Sequence, residues 1–173
     1  MGRTLSAISG ARIAGASRIV AIDIQPKRLE AAKQVDATDV VDFLKTNPVE
    51  AIRGFLPGAA DHVFDFVGAK AVAEQGLAML GVGGGRYLVG VTKPEVNLEL
   101  NIFDAIGGQK HVVGVNFGST NFKHDIPMYA ELYLQGRINL DDLVSKKISL
   151  REVNEGYAAL KDGSLNRVVV TSF

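Results

Sequence analysis

The sequence predicts an α/β protein built on a doubly wound parallel sheet, in which helices cover both faces. Two observations support this fold class. Short runs rich in valine and isoleucine alternate regularly with segments of helical pattern, and such alternation favours parallel strands joined by right-handed crossover helices. The first run, residues 18–23, is continuously apolar between its ends, which is typical of a strand buried on both faces.

The first half of the chain contains predicted helices and strands in strict alternation. They are a helix over 3–14, a strand over 18–23, a helix over 26–35, a strand over 38–42, a helix opened at 47–48, a strand over 61–66 and a helix over 69–80. Gly15 supplies the stop of the first helix, and Pro26 stands in the first turn of the second, where a missing amide is harmless. Asn47 and Pro48 open the third helix as its cap and its first residue.

Residues 81–85, which include four glycines, predict the turn into a strand over 86–91. They do not predict a phosphate loop, because they follow a helix and precede a strand, whereas a dinucleotide loop follows a strand and opens a helix. Further predicted elements are a short strand over 96–100, a helical turn over 102–106, a strand over 110–117 and a helix from Asp125 to near Gly136.

The last portion of the chain changes character. Residues 141–149 combine a short helix with a strand, and Ser149 and Glu152 have the spacing of a capping box, which opens a helix that ends at Gly163. A closing strand is predicted over 167–173. We expect this tail to pack beside the sheet and not to extend it as a further βα unit.

Composition limits what the chain can be. With 173 residues, 47% of them hydrophobic, it suits one domain or one domain with a small appendage. Its 19 basic and 19 acidic residues leave no net charge, which disfavours nucleic acid and anionic membranes as partners. No apolar segment approaches the roughly 20 residues that span a bilayer, and no secretory leader pattern stands at the N-terminus, so we expect a cytoplasmic protein.

Metal and nucleophile chemistry have few candidates in the sequence. The chain has no cysteine, which excludes disulfides and thiolate zinc sites. His62, His111 and His124 lack the spacing and acidic neighbours of a metal cluster, and we expect them to be structural or exposed. No serine with a positioned base and no paired carboxylates stand in their place, so the sequence predicts neither a catalytic residue nor a metal ligand.

Asp23 is the first candidate binding residue. It closes the apolar run over 18–23 and precedes a helix rich in lysine and arginine, including Arg28. A carboxylate at the end of a buried strand is how nucleotide-binding α/β domains hold an adenosine ribose, and it favours NAD over NADP, whose 2'-phosphate it repels. For Arg28 the alternative is a solvated position on the face of the helix.

Several motifs together are similar to one enzyme family. They are Gly-Ala-Arg-Ile-Ala-Gly-Ala-Ser-Arg-Ile-Val-Ala-Ile-Asp at 10–23, Phe-Asp-Phe-Val-Gly at 64–68, Leu-Val-Gly-Val at 88–91, Val-Asn-Glu-Gly-Tyr-Ala-Ala-Leu-Lys-Asp-Gly at 153–163 and the final Arg-Val-Val-Val-Thr-Ser-Phe. The chain resembles the C-terminal half of the medium-chain, zinc-type alcohol dehydrogenases, especially the class III and thiol-dependent formaldehyde dehydrogenase branch. The resemblance implies a Rossmann-like NAD-binding domain over 1–138 and a return into the catalytic domain over 139–173.

The resemblance also implies a coenzyme site and a partner. The residues that it assigns to NAD are Gly2, Asp23, Arg28, Gly68, Val89, Val115, Phe117 and Arg167. Asp23 and Arg28 correspond to the adenosine ribose, and Arg167 to the pyrophosphate. Gly68 lets the chain pass the nicotinamide ribose, while backbone groups of the two valines and the phenylalanine hold the carboxamide. The strand over 110–117 corresponds to the edge that joins two family subunits in a homodimer.

The chain departs from the family pattern upstream of Asp23. The ligands of the catalytic zinc, the first strand of the coenzyme domain and all but Gly2 of its glycine-rich phosphate turn have no counterpart in the 173 residues. Thr4 stands where the third glycine of that turn is usual. We therefore expect a Rossmann-like sheet that lacks its first strand, with unpaired backbone groups on the neighbouring strands, and an NAD site that is only partly built.

The sequence leaves three hypotheses open. The first is the NAD(H)-binding portion of a zinc-type alcohol or formaldehyde dehydrogenase, not catalytically competent alone, as a truncated product or as one part of a split enzyme with a separate catalytic half. The second is a degenerate, non-enzymatic domain that associates with itself or with a partner. The third is a misplaced start codon ahead of which a complete enzyme is encoded. Whether the chain is itself an enzyme stays open.

Overall fold

The computed structural model describes residues 2–161, 165 and 167–173. In these residues the α-helices are α1 (Gly2–Ile13), α2 (Pro26–Gln34), α3 (Pro48–Phe55), α4 (Lys70–Ala78), α5 (Ile102–Gly107), α6 (Phe122–Leu134) and α7 (Val153–Lys161). The strands are β1 (Val20–Asp23), β2 (Asp39–Asp42), β3 (Ala60–Asp65), β4 (Leu80–Leu88), β5 (His111–Gly114), β6 (Lys146–Ser149) and β7 (Val168–Ser172). Short 3₁₀ turns lie at Phe117–Ser119, Asp141–Leu143 and Leu150–Glu152.

These elements belong to two compact units. The first contains residues 1–19, 30–38 and 121–173, and the second contains 20–29 and 39–120. The second unit therefore holds β1 to β5, at whose ends most of the predicted binding residues stand. None of the described helices is long and apolar enough to cross a bilayer.

All strand pairs of the second unit are parallel, as the sequence predicts. β1 pairs with β2, and β3, β4 and β5 form a separate three-stranded sheet in that order. Parallel pairing follows from the β-α-β connections, because each crossover helix returns the chain to the same end of the sheet. β1 and β3 each stand at the end of a sheet, as expected for a doubly wound sheet that lacks one strand.

An apolar core joins the two sheets of the second unit. Its members are the buried Ile52, Ala60 and Met79 and the partly buried Val20, Ile22, Val49, Leu56 and Val63. Val20 and Ile22 come from β1 and Val63 from β3, so side-chain packing connects two sheets that share no backbone ladder. α3 contacts both β2 and α4 and contributes Ile52 to this core. The helix therefore covers strands on both sides of the interruption of the sheet, that is, the break between β1 and β3.

A buried ion pair fixes α4 to the three-stranded sheet. Arg86 on β4 is 1% exposed, and its Nη2 donates to Asp65 Oδ2 at 3.0 Å and to the Val72 carbonyl at 2.9 Å. Burial lowers the pKa of Arg86, and the charge of Asp65 opposes this shift. α4 leaves room for the guanidinium because Gly76 has no side chain, since a Cβ there would overlap it.

The first unit contains a two-stranded parallel sheet of β6 and β7. Leu5 and Ile8 on α1 are buried in this unit, and Ile148 is the buried residue of β6. α7 packs on β6 through Gly156, where a Cβ would lie 2.9 Å from Ile148 Cδ1. The predicted succession of a short helix and a strand over 141–149 is confirmed.

Local sequence signals are confirmed at several helix ends. Asn47 Oδ1 accepts hydrogen bonds from two amides at the start of α3, at 2.9 and 3.5 Å. Glu152 Oε2 accepts from the amide and the hydroxyl of Ser149 at 2.8 and 2.7 Å, within the predicted capping box. Gly15, after α1, has a φ of +83°. The predicted helix stop at Gly163 lies outside the described residues.

The predicted turn over residues 81–85 is wrong. These residues belong to β4, which begins at Leu80 and ends at Leu88 and not at residue 91. Residues 81–84 stand opposite a single residue of β3, where the register between the two strands shifts. Pairing with β3 therefore overrides the local turn signal of the glycines and leaves a bulge in its place.

Three other segments differ from the sequence-based expectation. Residues 96–100 form no strand, and β5 occupies only His111–Gly114 of the predicted 110–117. α6 begins at Phe122, before the expected start, and contains Pro127. A proline removes one backbone hydrogen bond from a helix, which is why the sequence alone favours a later start.

Replacing Gly76 by alanine should lower the free energy of unfolding by about 1–3 kcal/mol, because the added methyl group overlaps the Arg86 guanidinium. Gly54→Ala is the matched control: Gly54 also lies in a helix, α3, and a Cβ there meets nothing within 4 Å. That change should raise stability by up to about 1 kcal/mol. Urea unfolding followed by circular dichroism measures both variants, and effects of the same sign would contradict the packing of α4 on Arg86.

Candidate functional site

The first group of candidate residues lies at the carboxyl end of β1. Asp23 is the last residue of this strand, and its Oδ1 accepts a hydrogen bond from the Gln25 amide at 3.0 Å, which shapes the turn into α2. Its Oδ2 lies 3.6 Å from Nη1 of Arg28 in the first turns of α2. Both side chains keep access to solvent, with 25% and 32% of their surface exposed. The structure thus brings together the two residues that the sequence assigns to a ribose.

The guanidinium of Arg28 is only partly satisfied. One terminal nitrogen faces Asp23, whereas Nε is buried without a hydrogen-bond partner. Nε of Arg86 is also buried without a partner, so this atom alone does not indicate a ligand; the terminal nitrogens of Arg28 are the groups that a ligand can reach. A hydroxyl group that enters beside the pair can accept a hydrogen bond from Arg28 and donate one to Asp23. The pair therefore offers both the acceptor and the donor that the hydroxyl groups of a sugar diol can use.

Asp42, at the end of β2, is a neighbour that sequence reasoning missed. It stands opposite Asp23 in the parallel register of β1 and β2. Its carboxylate lies 3.0 Å from Lys45 Nζ, and the hydrogen bond from Lys45 lowers the pKa of Asp42. The sequence does contain a signal for this neighbourhood, because the two predicted strands over 18–23 and 38–42 both end at an aspartate.

A second group surrounds the carboxyl end of β3, where Asp65 is the organising residue. Its Oδ1 accepts from two amides of the following loop at 2.7 and 3.1 Å, while Oδ2 accepts from Arg86. Its main-chain oxygen accepts from the amides of Val89 and Gly90, after β4, at 2.9 and 2.7 Å. Asp65 therefore ties the loops after two adjacent strands to each other. Sequence reasoning placed no function on this residue.

Gly68 occupies a position in the loop after β3 that suits no other residue. Its φ is +76°, a conformation that residues with a Cβ rarely adopt. A Cβ would also lie 2.7 Å from the Val91 carbonyl oxygen and 2.9 Å from that of Gly90. Gly68 therefore lets the loop after β3 pack directly against the backbone of the loop after β4.

The remaining candidates of the second unit follow β4 and β5. Val89 and Val115 donate their amides to the carbonyls of Asp65 and Leu88, both at 2.9 Å. Their carbonyl oxygens are therefore the groups that they can offer to a ligand. Phe117 opens a 3₁₀ turn with a φ of +47°, and its side chain is 92% exposed.

Two candidates belong to the first unit. Gly2 is the first residue of α1, and helix amides at this end have no partner within the helix and favour anions. The main-chain oxygen of Arg167, just before β7, accepts from the amides of Ser145 and Lys146 at 2.9 and 3.3 Å. Its side chain is exposed, so its guanidinium is accessible to a phosphate group.

The three histidines are exposed. His62 Nδ1 lies 3.4 Å from the Tyr87 hydroxyl, and His124 Nδ1 lies 2.9 Å from Asp125 Oδ1. Within residues 2–161, 165 and 167–173, no group of three histidine, aspartate or glutamate side chains could hold a metal ion. The described residues therefore do not fit a zinc ion, and no zinc-dependent step is assigned to them.

Comparison with known proteins gives this arrangement a family context. Residues 4–135 match the family described as "Zinc-binding dehydrogenase". This range contains every candidate residue of the second unit, that is, Asp23, Arg28, Gly68, Val89, Val115 and Phe117.

Individual relatives agree with the family match. A curated relative from Schizosaccharomyces pombe, named "Probable S-(hydroxymethyl)glutathione dehydrogenase 1", is 31% identical over 96% of this chain and 44% of its own length. The crystal structure of an alcohol dehydrogenase zinc-binding domain protein from Burkholderia ambifaria is 31% identical with a TM-score of 0.94, over 99% of this chain and 46% of that one. A zinc-binding dehydrogenase from Sinorhizobium meliloti 1021, bound to NADP, is 28% identical with a TM-score of 0.78, over 87% and 44%. The chain thus spans less than half the length of these relatives.

Replacing Asp65 by asparagine should lower the free energy of unfolding by about 3–5 kcal/mol, because Arg86 then stays buried without its counter-charge. Asp42→Asn removes the same charge from the end of β2, where the partner Lys45 is exposed, so stability should change little. Urea and thermal unfolding test both variants. An Asp65→Asn chain as stable as Asp42→Asn would refute the organising role of the buried pair.

Proposed function

This chain belongs to the zinc-binding dehydrogenase family, and we propose that it is the NAD(H)-binding portion of a zinc-type alcohol or formaldehyde dehydrogenase. The observation that carries the proposal is the pair of Asp23 and Arg28 at the carboxyl end of β1, whose side chains lie together and keep access to solvent. Ligands of doubly wound sheets bind outside the carboxyl ends of the strands. Within the family we favour the class III branch, which the motifs quoted above and the name of the S. pombe relative support.

The adenosine ribose is the proposed ligand of Asp23 and Arg28. The two ribose hydroxyls can each donate a hydrogen bond to the carboxylate, and Arg28 can donate to the sugar oxygens in return. A 2'-phosphate would bring its negative charge against Asp23. We therefore propose a preference for NAD over NADP, although the S. meliloti relative is bound to NADP.

The nicotinamide end is proposed to lie along the carboxyl ends of β3, β4 and β5. There the carbonyl oxygens of Val89 and Val115 can accept hydrogen bonds from the carboxamide, and the backbone of Phe117 is the third proposed contact. The family resemblance further assigns to Gly68 the role of letting the chain pass the nicotinamide ribose. The side chain of Val91, 88% exposed, is an apolar group that could border a substrate.

For the first unit we propose contacts with the coenzyme pyrophosphate. Gly2 would contribute amides at the start of α1, and Arg167 would contribute its guanidinium. These two assignments rest on the family resemblance and on the chemistry of each group. We propose that these groups form part of an NAD site.

The chemistry of the proposed enzyme is divided between this chain and residues beyond it. NAD supplies the hydride acceptor when bound. The residues of this chain bind the coenzyme, discriminate at the ribose and orient the carboxamide. We propose that the chain is not competent alone, that residues 1–138 are the coenzyme domain, and that residues 139–173 belong with a catalytic half outside the 173 residues.

A homodimer through β5 is the proposed assembly. β5 stands at the end of its sheet, and Val112 and Val113 are 40% and 39% exposed. An exposed apolar edge strand is a template for pairing with another chain. Two-fold pairing of these edges would join two sheets into one.

We expect NADH to bind the chain at or below millimolar concentration in a fluorescence titration. Asp23→Ala should raise the dissociation constant of NADH about 10-fold or more, because hydrogen bonds to a charged group contribute about 1.5–3 kcal/mol. It should also narrow the preference for NADH over NADPH. Asp61→Ala, which removes an exposed aspartate from β3, is the control and should leave both constants unchanged.

Two results would count against this coenzyme assignment: no NADH binding at millimolar concentration, or equal losses in the two variants. A defined dimer that is indifferent to NADH and to Asp23→Ala would instead favour the second candidate function, a non-enzymatic self-associating domain. The exposed edge of β5 is the observation behind that alternative.

Val113→Lys should weaken the dimer at least about 10-fold, because a lysine on an edge strand opposes pairing with another chain. Val82→Lys is the matched control, since Val82 is 77% exposed and lies on the bulge of β4. Light scattering across a concentration series measures both variants. A dimer that withstands Val113→Lys would place the interface elsewhere.

A further inference from the structure

We propose that a cleft at the amino ends of β4 and β5 is a binding site for a small carboxylate that carries an apolar group of about the size of a phenyl ring. The cleft has a volume of about 290 Å³ and lies between the start of β4, the end of α5 and the residues just before β3. Every residue that lines it belongs to the second unit.

The cleft is separate from the proposed coenzyme site. The strands around it are parallel, so their carboxyl ends, where the coenzyme is proposed to bind, lie at the opposite edge of the sheet. β3 has six residues, and a strand of that length spans about 17–20 Å. None of the residues that line the cleft is a proposed coenzyme contact. This proposal therefore does not depend on coenzyme binding.

The glycine-rich bulge of β4, residues 81–84, forms one wall of the cleft. The Gly83 amide donates to the Gly108 carbonyl, just after α5, at 2.8 Å. Gly81 lies so close to the residues before β3 that a Cβ would overlap the carbonyl oxygen of Gly58. Bulges are frequent beside functional sites, because they take a segment out of the ladder and redirect it. This bulge thus connects the other two walls of the cleft.

The side chains around the cleft are largely apolar and reach solvent. Four of the lining residues are glycines, whose lack of side chains leaves the cleft unfilled. Leu80 is buried, whereas Val82 and Phe103 are 77% and 85% exposed. Apolar side chains that face water across one cleft gain free energy when an apolar ligand covers them. The ring of Phe103 favours an aromatic partner, because aromatic rings stack or meet edge to face.

Lys110 supplies a positive charge that can bind an anion in the cleft. Its side chain is only 16% exposed, and Nζ lies 3.9 Å from Asp104 Oδ2, beyond the range of a hydrogen bond. Asp104 is 71% exposed, so water hydrates its charge. The carbonyls of Asp104, Ala105 and Ile106 already accept backbone amides at 2.9 to 3.2 Å. The ammonium therefore has donors available for a ligand carboxylate.

The size and charge of the cleft select the class of ligand. A volume of about 290 Å³ is at the lower limit for small-molecule sites, which excludes a dinucleotide. Phosphate groups with two charges are typically held by arginine or by the amide end of a helix, whereas this cleft has one lysine and the carbonyl end of α5. A cation would meet the charge of Lys110. A singly charged carboxylate with an apolar ring therefore fits best.

Three matched ligands test the proposal on the unsubstituted chain. Phenylacetate has both the charge and the ring, phenylacetamide has the same shape without the charge, and acetate has the charge without the ring. In an NMR titration, millimolar phenylacetate should shift the amide signals of Gly58, Val82 and Lys110 and not those of Val89 and Val115 at the opposite edge. Phenylacetate should bind at least about 10-fold more tightly than either analogue, because each lacks one of the two contacts.

Two substitutions with matched controls test the individual contacts. Lys110→Met keeps the length of the side chain but removes its charge, and it should raise the dissociation constant of phenylacetate at least about 10-fold. Lys93→Met removes an exposed lysine from the loop after β4 and should leave the constant unchanged. Phe103→Ala should raise the constant about 3-fold or more. Ile102→Ala, an exposed position of the same helix that does not line the cleft, is its control.

Equal affinities for phenylacetate and phenylacetamide, equal effects of Lys110→Met and Lys93→Met, or shifts confined to the carboxyl edge of the sheet would overturn the proposal. The absence of any shift at tens of millimolar phenylacetate would overturn it as well. The comparison of the three ligands needs no substitution, so a folding defect in one variant does not prevent a decision. The NADH titration reports on the opposite edge, so failure of either assignment is distinguishable from failure of the other.

Discussion

The ion pair between Asp65 and Arg86 is the interaction on which the second unit depends. The carboxylate of Asp65 accepts hydrogen bonds from Arg86 and from the loop after β3, and its main-chain oxygen accepts from the loop after β4. Arg86 also donates a hydrogen bond to the Val72 carbonyl in α4. One residue pair thus holds three elements in place. Two charges lose their hydration when they are buried, so such a pair contributes more to geometry than to net stability.

This pair makes one half of the candidate site stiffer than the other. The loops around Gly68 and Val89 are held by directional hydrogen bonds, whose strength falls steeply with misalignment. The edge that carries Asp23 is joined to β3 by aliphatic packing, which is non-directional and tolerates small displacements. The interruption of the sheet therefore falls between the proposed ribose contact and the proposed carboxamide contacts.

The sequence alone predicts those features that depend on contacts between residues close together in the chain, and it misses those that depend on distant residues. The cap at Asn47 and the approach of Arg28 to Asp23 need only neighbours a few positions away, and both are visible in local patterns. Residues 81–85 carry a strong local turn signal, yet pairing with β3 draws them into a strand. The role of Asp65 is invisible locally, because its partner Arg86 arrives only with β4. The coenzyme contacts depend on a ligand and stay predictions.

The two groups of candidate residues stand on separate sheets, and the proposed coenzyme would contact both groups. Asp23 ends β1 and Gly68 follows β3, and in the described residues side-chain packing, not a backbone ladder, connects these two strands. A ligand that contacts both residues favours the arrangement in which both contacts form, and it shifts the equilibrium only by the difference in its affinity for the two arrangements. A factor of 10 in affinity corresponds to about 1.4 kcal/mol, which is comparable to one ordinary hydrogen bond. One hydrogen bond to Asp23 would therefore be enough to shift that equilibrium about 10-fold.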